Sequence, residues 1–440
     1  MSGRRSLAVL ATLVVGGAAV AVGCTAPPAP GPTAPASSSG TAGAHVDVLG
    51  LWSGPELDGF RTVAAGWEHD TGGVVDWDGS QDVARDLATR LAAGEPPDVA
   101  VLPNPGLLHA LARDGALVPL DRVLDPGPVA RDYAPAWLDL GRHDGVLYGL
   151  FPRATSKGTV WYAPRGFAAA GYAVPATWDE LLALADRMVA DGRTPFSVVA
   201  PRGPGSGWAL TDWVASLVLG TCGPQVYDRW VAAEIPWTDP CVRESFARLG
   251  TVLATPGYVL GGSRAVLTTG DAEGVLPVYA DPPEAAMYPL ASFAQGFLTQ
   301  AYPDLSAGTD YDAFPFPPVD PARAGSVTVG GDVVVLLRDT PAARSFLAFL
   351  TGAAAQEAWV RLGGHTSVNR SVPPGAYPDG VARAVADDLA GAEVVRFGAG
   401  DLMPAAVQRA WWAAMLRLVE DPAAVDEVLE SLTEAAAAAR

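Results

Sequence analysis

The run "GWALTDW" places a tryptophan and an aspartate four residues apart, at Trp208 and Asp212. On a helix that spacing puts ring and carboxylate on one face, where both can meet one ligand. The alternative is a core tryptophan beside a capping aspartate. Trp213 points elsewhere and is predicted to be core. Near the C-terminus, "DLMPAAVQRAWWAAML" holds Trp411 and Trp412 side by side. Adjacent helical positions point about 100° apart, so the two rings must do different things. Lys157 is the one lysine in the chain, which hints at a need for an ammonium group; a surface lysine is the alternative. Catalytic arrangements do not emerge. His45, His69, His109, His143 and His365 show no metal spacing. HExxH, CxxC pairs, a P-loop and GxSxG are all missing, and "GPGSGW" lacks the Lys-Ser/Thr of a phosphate loop. Many tryptophans without a catalytic constellation point to a binder with no cofactor and no metal.

The elements that position these residues follow from the rest of the chain. Its 440 residues favour more than one domain. The net charge of -19 argues against nucleic acid and anionic membrane surfaces as partners. At the N-terminus, Arg4 and Arg5 precede an apolar run from Leu7 to Val22 and then Cys24. This is a secretory pattern, read as a signal peptide over 1–23. "AVGC" resembles a bacterial lipobox, which makes Cys24 the lipidation site; a plain signal peptide or uncleaved anchor is the alternative. Residues 24–45 are rich in Pro, Gly, Ser and Ala and read as a disordered tether. The remaining cysteines, Cys222 and Cys241, form an exported even pair, which suggests a disulfide; two buried free thiols are the alternative.

From residue 45 the pattern is β-α-β-α-β: strand at 45–52, helix at 56–72, strand at 73–79, helix at 80–94 with Ser80 as N-cap, and strand at 97–103. This is the signature of a parallel sheet with covering helices, and ligands sit beyond the carboxyl ends of such strands. Residues 155–310 are helix-rich, with a clear amphipathic helix at 177–192 capped by Thr177. Strands return at 326–337, and the last sixty residues are mostly helical.

Several stretches resemble, in order, the family 1 extracellular solute-binding proteins of carbohydrate ABC transporters. They are "LWSGPELDGFRTVAAGWEHDTG", "GEPPDVAVLPNPGLLHALARDGALVPLD", "ATSKGTVWYAPRGFAAAGYAVPATWDELLALADRM", "EAAMYPLASF", "GGDVVVLLRDTPAARSFLAFLTGAAAQEAW" and "DLMPAAVQRAWWAAML". "GWALTDWVASLVLGTCGPQVYDRWVAAEIPWTDPCV" is similar to the α-glucoside-binding branch, and the last stretch to the maltose-binding member. The resemblance implies an α/β, two-lobed periplasmic-binding-protein fold, type II-like, with a hinge and an interlobe ligand cleft. Lobe 1 is expected over 46–153 and 315–370, lobe 2 over 154–314 and 371–440. It implies a monomeric, lipid-anchored binder on the outer face of the cytoplasmic membrane. The expected ligand is an α-glucoside or related oligosaccharide, handed to the ABC permease subunits. A secreted carbohydrate-active enzyme and a binder of another solute, such as a polyol, are the alternatives.

A pyranose has an apolar C–H face and a rim of hydroxyls. A site for it needs flat aromatics together with charged or amide groups, because each buried hydroxyl must be paired. Glu56 matches the stretch where the family makes polar sugar contacts; a solvated first-turn glutamate is the alternative. Trp52, Asp78, Gln81 and Asn104 sit at the ends of the first three strands; for Trp52 a core position is the alternative. Lys157 lies near the expected lobe crossing. Trp208 and Asp212 offer ring and carboxylate. Phe293 matches the family's stacking tryptophan six residues after Met287. Aligned on Met403–Pro404, Trp412 falls on a stacking tryptophan of the second lobe, one residue short of the usual spacing. Trp412 is therefore predicted to face the cleft and Trp411 the core. Arg370 in "TSVNR" is read as a surface residue, with a contact to the cleft as the alternative.

Overall fold

Two sheets build the two lobes, and a third joins them. The structure, a computed structural model, describes residues 43–80, 82–203, 207–363 and 366–439. The expected signal peptide, most of the expected tether with Cys24, and the candidate Gln81 lie outside the described residues.

The first sheet runs in the order Val74–Gly79, His45–Gly50, Val99–Leu102, Val333–Leu336, Gly149–Leu150. The first three strands are parallel, and Val333–Leu336 is antiparallel to both its neighbours. Every residue of Val99–Leu102 and Val333–Leu336 is buried. Such near-continuous apolar runs belong to strands covered on both faces. Helices Gly54–Thr71, Pro341–Thr351 and Ala353–Arg361 pack together, with Phe60 and Trp67 against Phe346 and Phe60 against Trp359. Gly72 and Gly94 end their helices in the left-handed conformation, at φ 71° and 76°. One cap differs from expectation. Helix Val83–Ala93 starts at Asp82, whose side chain accepts from the Arg85 N–H. Ser80 instead accepts from the Asp82 N–H and donates to Asp86, shaping the turn before the helix.

The second sheet is antiparallel, in the order Asp312–Pro315, Thr159–Tyr162, Met287–Pro289. Its core is centred on helix Trp208–Cys222, which is buried along most of its length. A helix that is apolar nearly all round belongs inside a core. Helices Pro240–Ala254 and Ala405–Glu420 pack against it, and Val425–Ala438 packs against those two. A disulfide ties Cys222, at the end of the buried helix, to Cys241 in the first turn of Pro240–Ala254, with Cα atoms 5.9 Å apart.

The third sheet holds the crossings. Ser326–Gly330 pairs in parallel with Val394–Phe397 and antiparallel with Thr155–Ser156. Thr155–Ser156 lies in sequence between Gly149–Leu150 of the first sheet and Thr159–Tyr162 of the second. Ser326–Gly330 lies between Asp312–Pro315 of the second and Val333–Leu336 of the first. Residues after 370 were expected in lobe 2. Leu389, Ala392, Val395 and Phe397 instead pack into the first core, and Ala399 enters the second. Val381 packs with Trp161 and Tyr288 of the second sheet, so the segment after 370 touches both lobes.

Replacing both cysteines of the bridge, Cys222→Ser with Cys241→Ser, removes a loop closure over 19 residues. The expected loss of unfolding free energy is about 3 kcal/mol. Urea denaturation reads it, and an unchanged midpoint would show that the bridge adds nothing.

Candidate functional site

Four of the sequence-derived candidates meet beside the third sheet. Lys157 follows strand Thr155–Ser156, and its backbone N–H donates to the Thr328 carbonyl at 2.9 Å. That bond fixes where the side chain starts. Its Nζ lies 3.3 Å from Asp212 Oδ2 and 3.5 Å from Asp401 Oδ2. It also sits over the Trp208 ring, 5.5 Å from the centroid. Trp208 and Asp212 come from the first two turns of one helix, as their spacing required. Phe293 stands just before helix Ala294–Ala301, with its ring centroid 5.8 Å from that of Trp208. It is 37% exposed, one of few large apolar side chains open to solvent among the described residues. Trp208 Nε1 donates to Asp271 Oδ2 at 3.2 Å, which steadies the ring.

The electrostatics follow from burial. Burial opposes a charged Lys157, but Asp212 and Asp401 outweigh it and hold the ammonium above its ordinary range. Burial pushes the Asp212 carboxyl up to about 7; Lys157 pulls it down and Asp401 adds to the rise. Burial likewise raises Asp271, against the hydrogen bond from Trp208. The site thus presents two flat rings beside an ammonium and three carboxylates, suited to an uncharged ligand with an apolar face and many hydroxyls.

A second charged group lies on the lobe 1 side. Arg153 Nη2 is 2.5 Å from Glu56 Oε1, and its Nε is 3.3 Å from Asp332 Oδ2. Asp332 accepts from Trp52 Nε1 at 2.8 Å, and burial raises its carboxyl. Gly330 and Gly331 run between the two groups. A Cβ on Gly330 would come 2.7 Å from Lys157 Cε, and one on Gly331 2.6 Å from the Arg153 carbonyl oxygen. Gly331 therefore requires glycine, since its neighbour is backbone, whereas a side chain at Gly330 would displace the end of Lys157.

The remaining candidates fare differently. Trp52 is 1% exposed, stacked on Trp77 at 5.4 Å and edge-on to Trp359, so it is a core ring and not an open sugar platform. Asp78 lies on an edge strand and faces Arg90 at 3.3 Å, an ion pair shared with Asp47. That pairing gives it a structural role at the surface. Asn104 caps helix Pro105–Arg113 through the Leu107 N–H at 2.9 Å. The same turn abuts the second lobe, since a Cβ on Gly106 would lie 3.7 Å from the Leu402 carbonyl oxygen. Arg370 is held by the carbonyls of Ala130, Arg131 and Tyr133. Trp411 is fully buried among Trp230, Trp237 and Phe246. Trp412 is half-buried, with its carbonyl against Gly207, directly before Trp208. Sequence reading missed Arg153, Asp332, Asp271 and Asp401. Of these, Asp401 stood in view as the first residue of the "DLMP" run.

Two cores joined by a three-stranded crossing sheet, with charged and aromatic groups gathered at the crossing, define a two-lobed ligand-capture protein. Residues 53–357 match the family model described as bacterial extracellular solute-binding protein, and the chain belongs to that family. It is a binding protein and not an enzyme. It is similar to the osmoprotective compounds-binding protein GgtB of Synechocystis sp., 35% identical over 84% of this chain and 88% of that one. It is also similar to the alpha-glucosides-binding periplasmic protein AglE of Rhizobium meliloti, 32% identical over 87% of this chain and 85% of that one. Among solved structures, the bacterial solute receptor AcbH superposes with a TM-score of 0.76 at 20% identity, over 90% of this chain and 99% of that one.

Folding raises the Asp212 pKa from its ordinary 3.8 to about 7. The contribution of this carboxyl to stability is therefore full below pH 3.8 and lost as pH rises through about 7. Lys157→Met removes the group that lowers this pKa and leaves burial and Asp401, which raise it. The Asp212 midpoint is expected to climb in that variant, read by carboxyl carbon NMR. A midpoint that fell would contradict the pairing.

Proposed function

We propose that this protein captures an α-glucoside or related small oligosaccharide between its lobes and hands it to the permease of an ABC importer. The observation that carries the reading is the Trp208–Phe293 platform beside the Lys157, Asp212 and Asp401 cluster. Flat rings cover the C–H face of a pyranose, and ionised groups bind its hydroxyls more strongly than neutral ones do. The name of the Rhizobium relative supports an α-glucoside. In the same reading Glu56 and Asn104 approach the ligand from lobe 1, Trp412 joins the lobe 2 wall, and closure is a hinge motion at the third sheet. Lipid on Cys24 and the tether behind it keep the protein at the outer face of the membrane. A second reading, a smaller osmoprotective solute such as a polyol, is favoured by the name of the Synechocystis relative.

A thermal-shift screen of disaccharides, trisaccharides and polyols tests both. A ligand present at a hundred times its Kd is expected to add about 2.7 kcal/mol to stability. If α-glucosides leave the melting temperature unchanged while a polyol raises it, the second reading stands. If no sugar or polyol does, both readings fail. With the best ligand, Trp208→Ala is expected to weaken binding by about 2 kcal/mol, roughly 30-fold, as for a buried aromatic anchor.

The tryptophan pair has its own test. Trp411→Ala empties a buried ring site and is expected to cost about 3–5 kcal/mol of stability. Trp412→Ala is expected to keep the fold and lose affinity, measured by calorimetry. Intact affinity in folded Trp412→Ala protein would remove Trp412 from the site.

A further inference from the structure

Away from the crossing sheet, two imidazoles face each other on lobe 1. His109 lies on helix Pro105–Arg113, and His143 on the short strand Arg142–His143. That strand pairs antiparallel with Val146–Leu147 as a hairpin. Its two-residue turn, Asp144–Gly145, takes left-handed φ at both positions, 49° and 79°. The two ring centroids are 5.7 Å apart, and the planes are tilted by 32°. The Leu147 N–H also donates to Asp121 Oδ2 at 3.1 Å, which ties the hairpin to the segment after the helix.

The arrangement suits neutral rings. His109 Nε2 is buried and has no hydrogen-bond partner among the described residues, so a proton there would meet neither acceptor nor water. Burial holds the His109 pKa below its ordinary 6.5. His143 and, more weakly, Arg113 push the same way, against a hydrogen bond with the Arg142 backbone. The carboxylates around the pair are placed elsewhere. Asp144 lies 3.7 Å from His143 Nε2, but its side chain is 92% exposed, and Asp121 is committed to the Leu147 N–H. Of the elements packed against the helix, Val99–Leu102 and Val333–Leu336 carry no titratable side chain, and on Ala399–Leu402 Asp401 is turned to Lys157. Stability that depends on a neutral His109 is therefore fully present above pH 6.5 and is lost as pH falls through the lowered midpoint.

We propose that the His109–His143 pair is an acid-operated latch: a proton taken up at His109 must bring water to Nε2, which parts the two rings and frees the hairpin Arg142–Leu147 from helix Pro105–Arg113. The first sheet stays closed beneath it, because every residue of Val99–Leu102 and Val333–Leu336 is buried and none of them titrates. Imidazoles are the side chains that change charge between about pH 5 and 8, so the latch works in mild acid without acting on ordinary carboxylates.

Hydrogen–deuterium exchange of the full chain, read by mass spectrometry at about pH 7.5 and about pH 5 and corrected for the intrinsic pH dependence of exchange, tests the latch. Peptides over the hairpin are expected to lose about tenfold in protection at the lower pH, the worth of one pKa unit, while those over Val99–Leu102 keep theirs. In His109→Phe, which keeps a flat ring and cannot titrate, the hairpin is expected to be equally protected at both pH values. Proton NMR of the unaltered protein gives a second reading that needs no variant. The His109 ring signal, assigned through its proximity to His143, is expected to change charge below pH 6.5 and over the same range as the exchange. Unchanged protection of the hairpin, an equal acid loss in folded His109→Phe, or a His109 signal that titrates at 6.5 or above would overturn the proposal.

Discussion

The ammonium of Lys157 ties together three stretches that are remote in sequence. It follows the crossing strand Thr155–Ser156, Asp212 lies on the helix at the centre of lobe 2, and Asp401 on the short helix Ala399–Leu402. Taking charges out of water is costly, and only close opposite charges make it tolerable. The cluster therefore holds only while the three stretches stay in register. Much of the local geometry follows from it. A side chain at Gly330 would push the end of Lys157 away from its partners, and Trp208 sits where the ammonium covers its ring. Buried ion pairs are weak sources of stability, but they are exacting about position.

The fold was legible where local pattern and tertiary role agreed. The first three strands and their helices follow from alternation of apolar runs with glycine stops, and the structure repeats that order within a few residues. Trp208, Asp212, Lys157 and Phe293 were legible because each stands in a run that carries its own signal: a four-residue spacing, a lone lysine, a familiar motif. Arg153, Asp332 and Asp271 lie in connecting segments with no period. They come together only through long-range pairing, Asp332 with Trp52 over 280 residues and Asp271 with Trp208 over 63. Nothing in the residues near them announces that partner. Trp52 misled for the opposite reason. It stands where ligand residues stand in such sheets, yet it is packed between the rings of Trp77 and Trp359. That the segment after residue 370 packs against both lobes leaves no mark in apolar periodicity.

The two sides of the crossing are chemically unlike. On lobe 2, rings and carboxylates surround one ammonium. On lobe 1, one guanidinium is held between two carboxylates and lies beside a core tryptophan, 5.9 Å from its ring. A planar guanidinium has fixed donor directions, whereas an ammonium is a compact charge that adapts. The rigid donor thus belongs to the lobe with the larger sheet, and the adaptable one to the lobe that carries the aromatic platform.

The solitary status of Lys157 also has a consequence at the bench. Its side chain is 15% exposed, and its amine is held protonated by two carboxylates. Reagents that label, cross-link or immobilise proteins through lysine amines will find no other lysine along the 440 residues. Acylation of a lysine side chain can occur at Lys157 alone, and its rate reports how often the surroundings of that amine open.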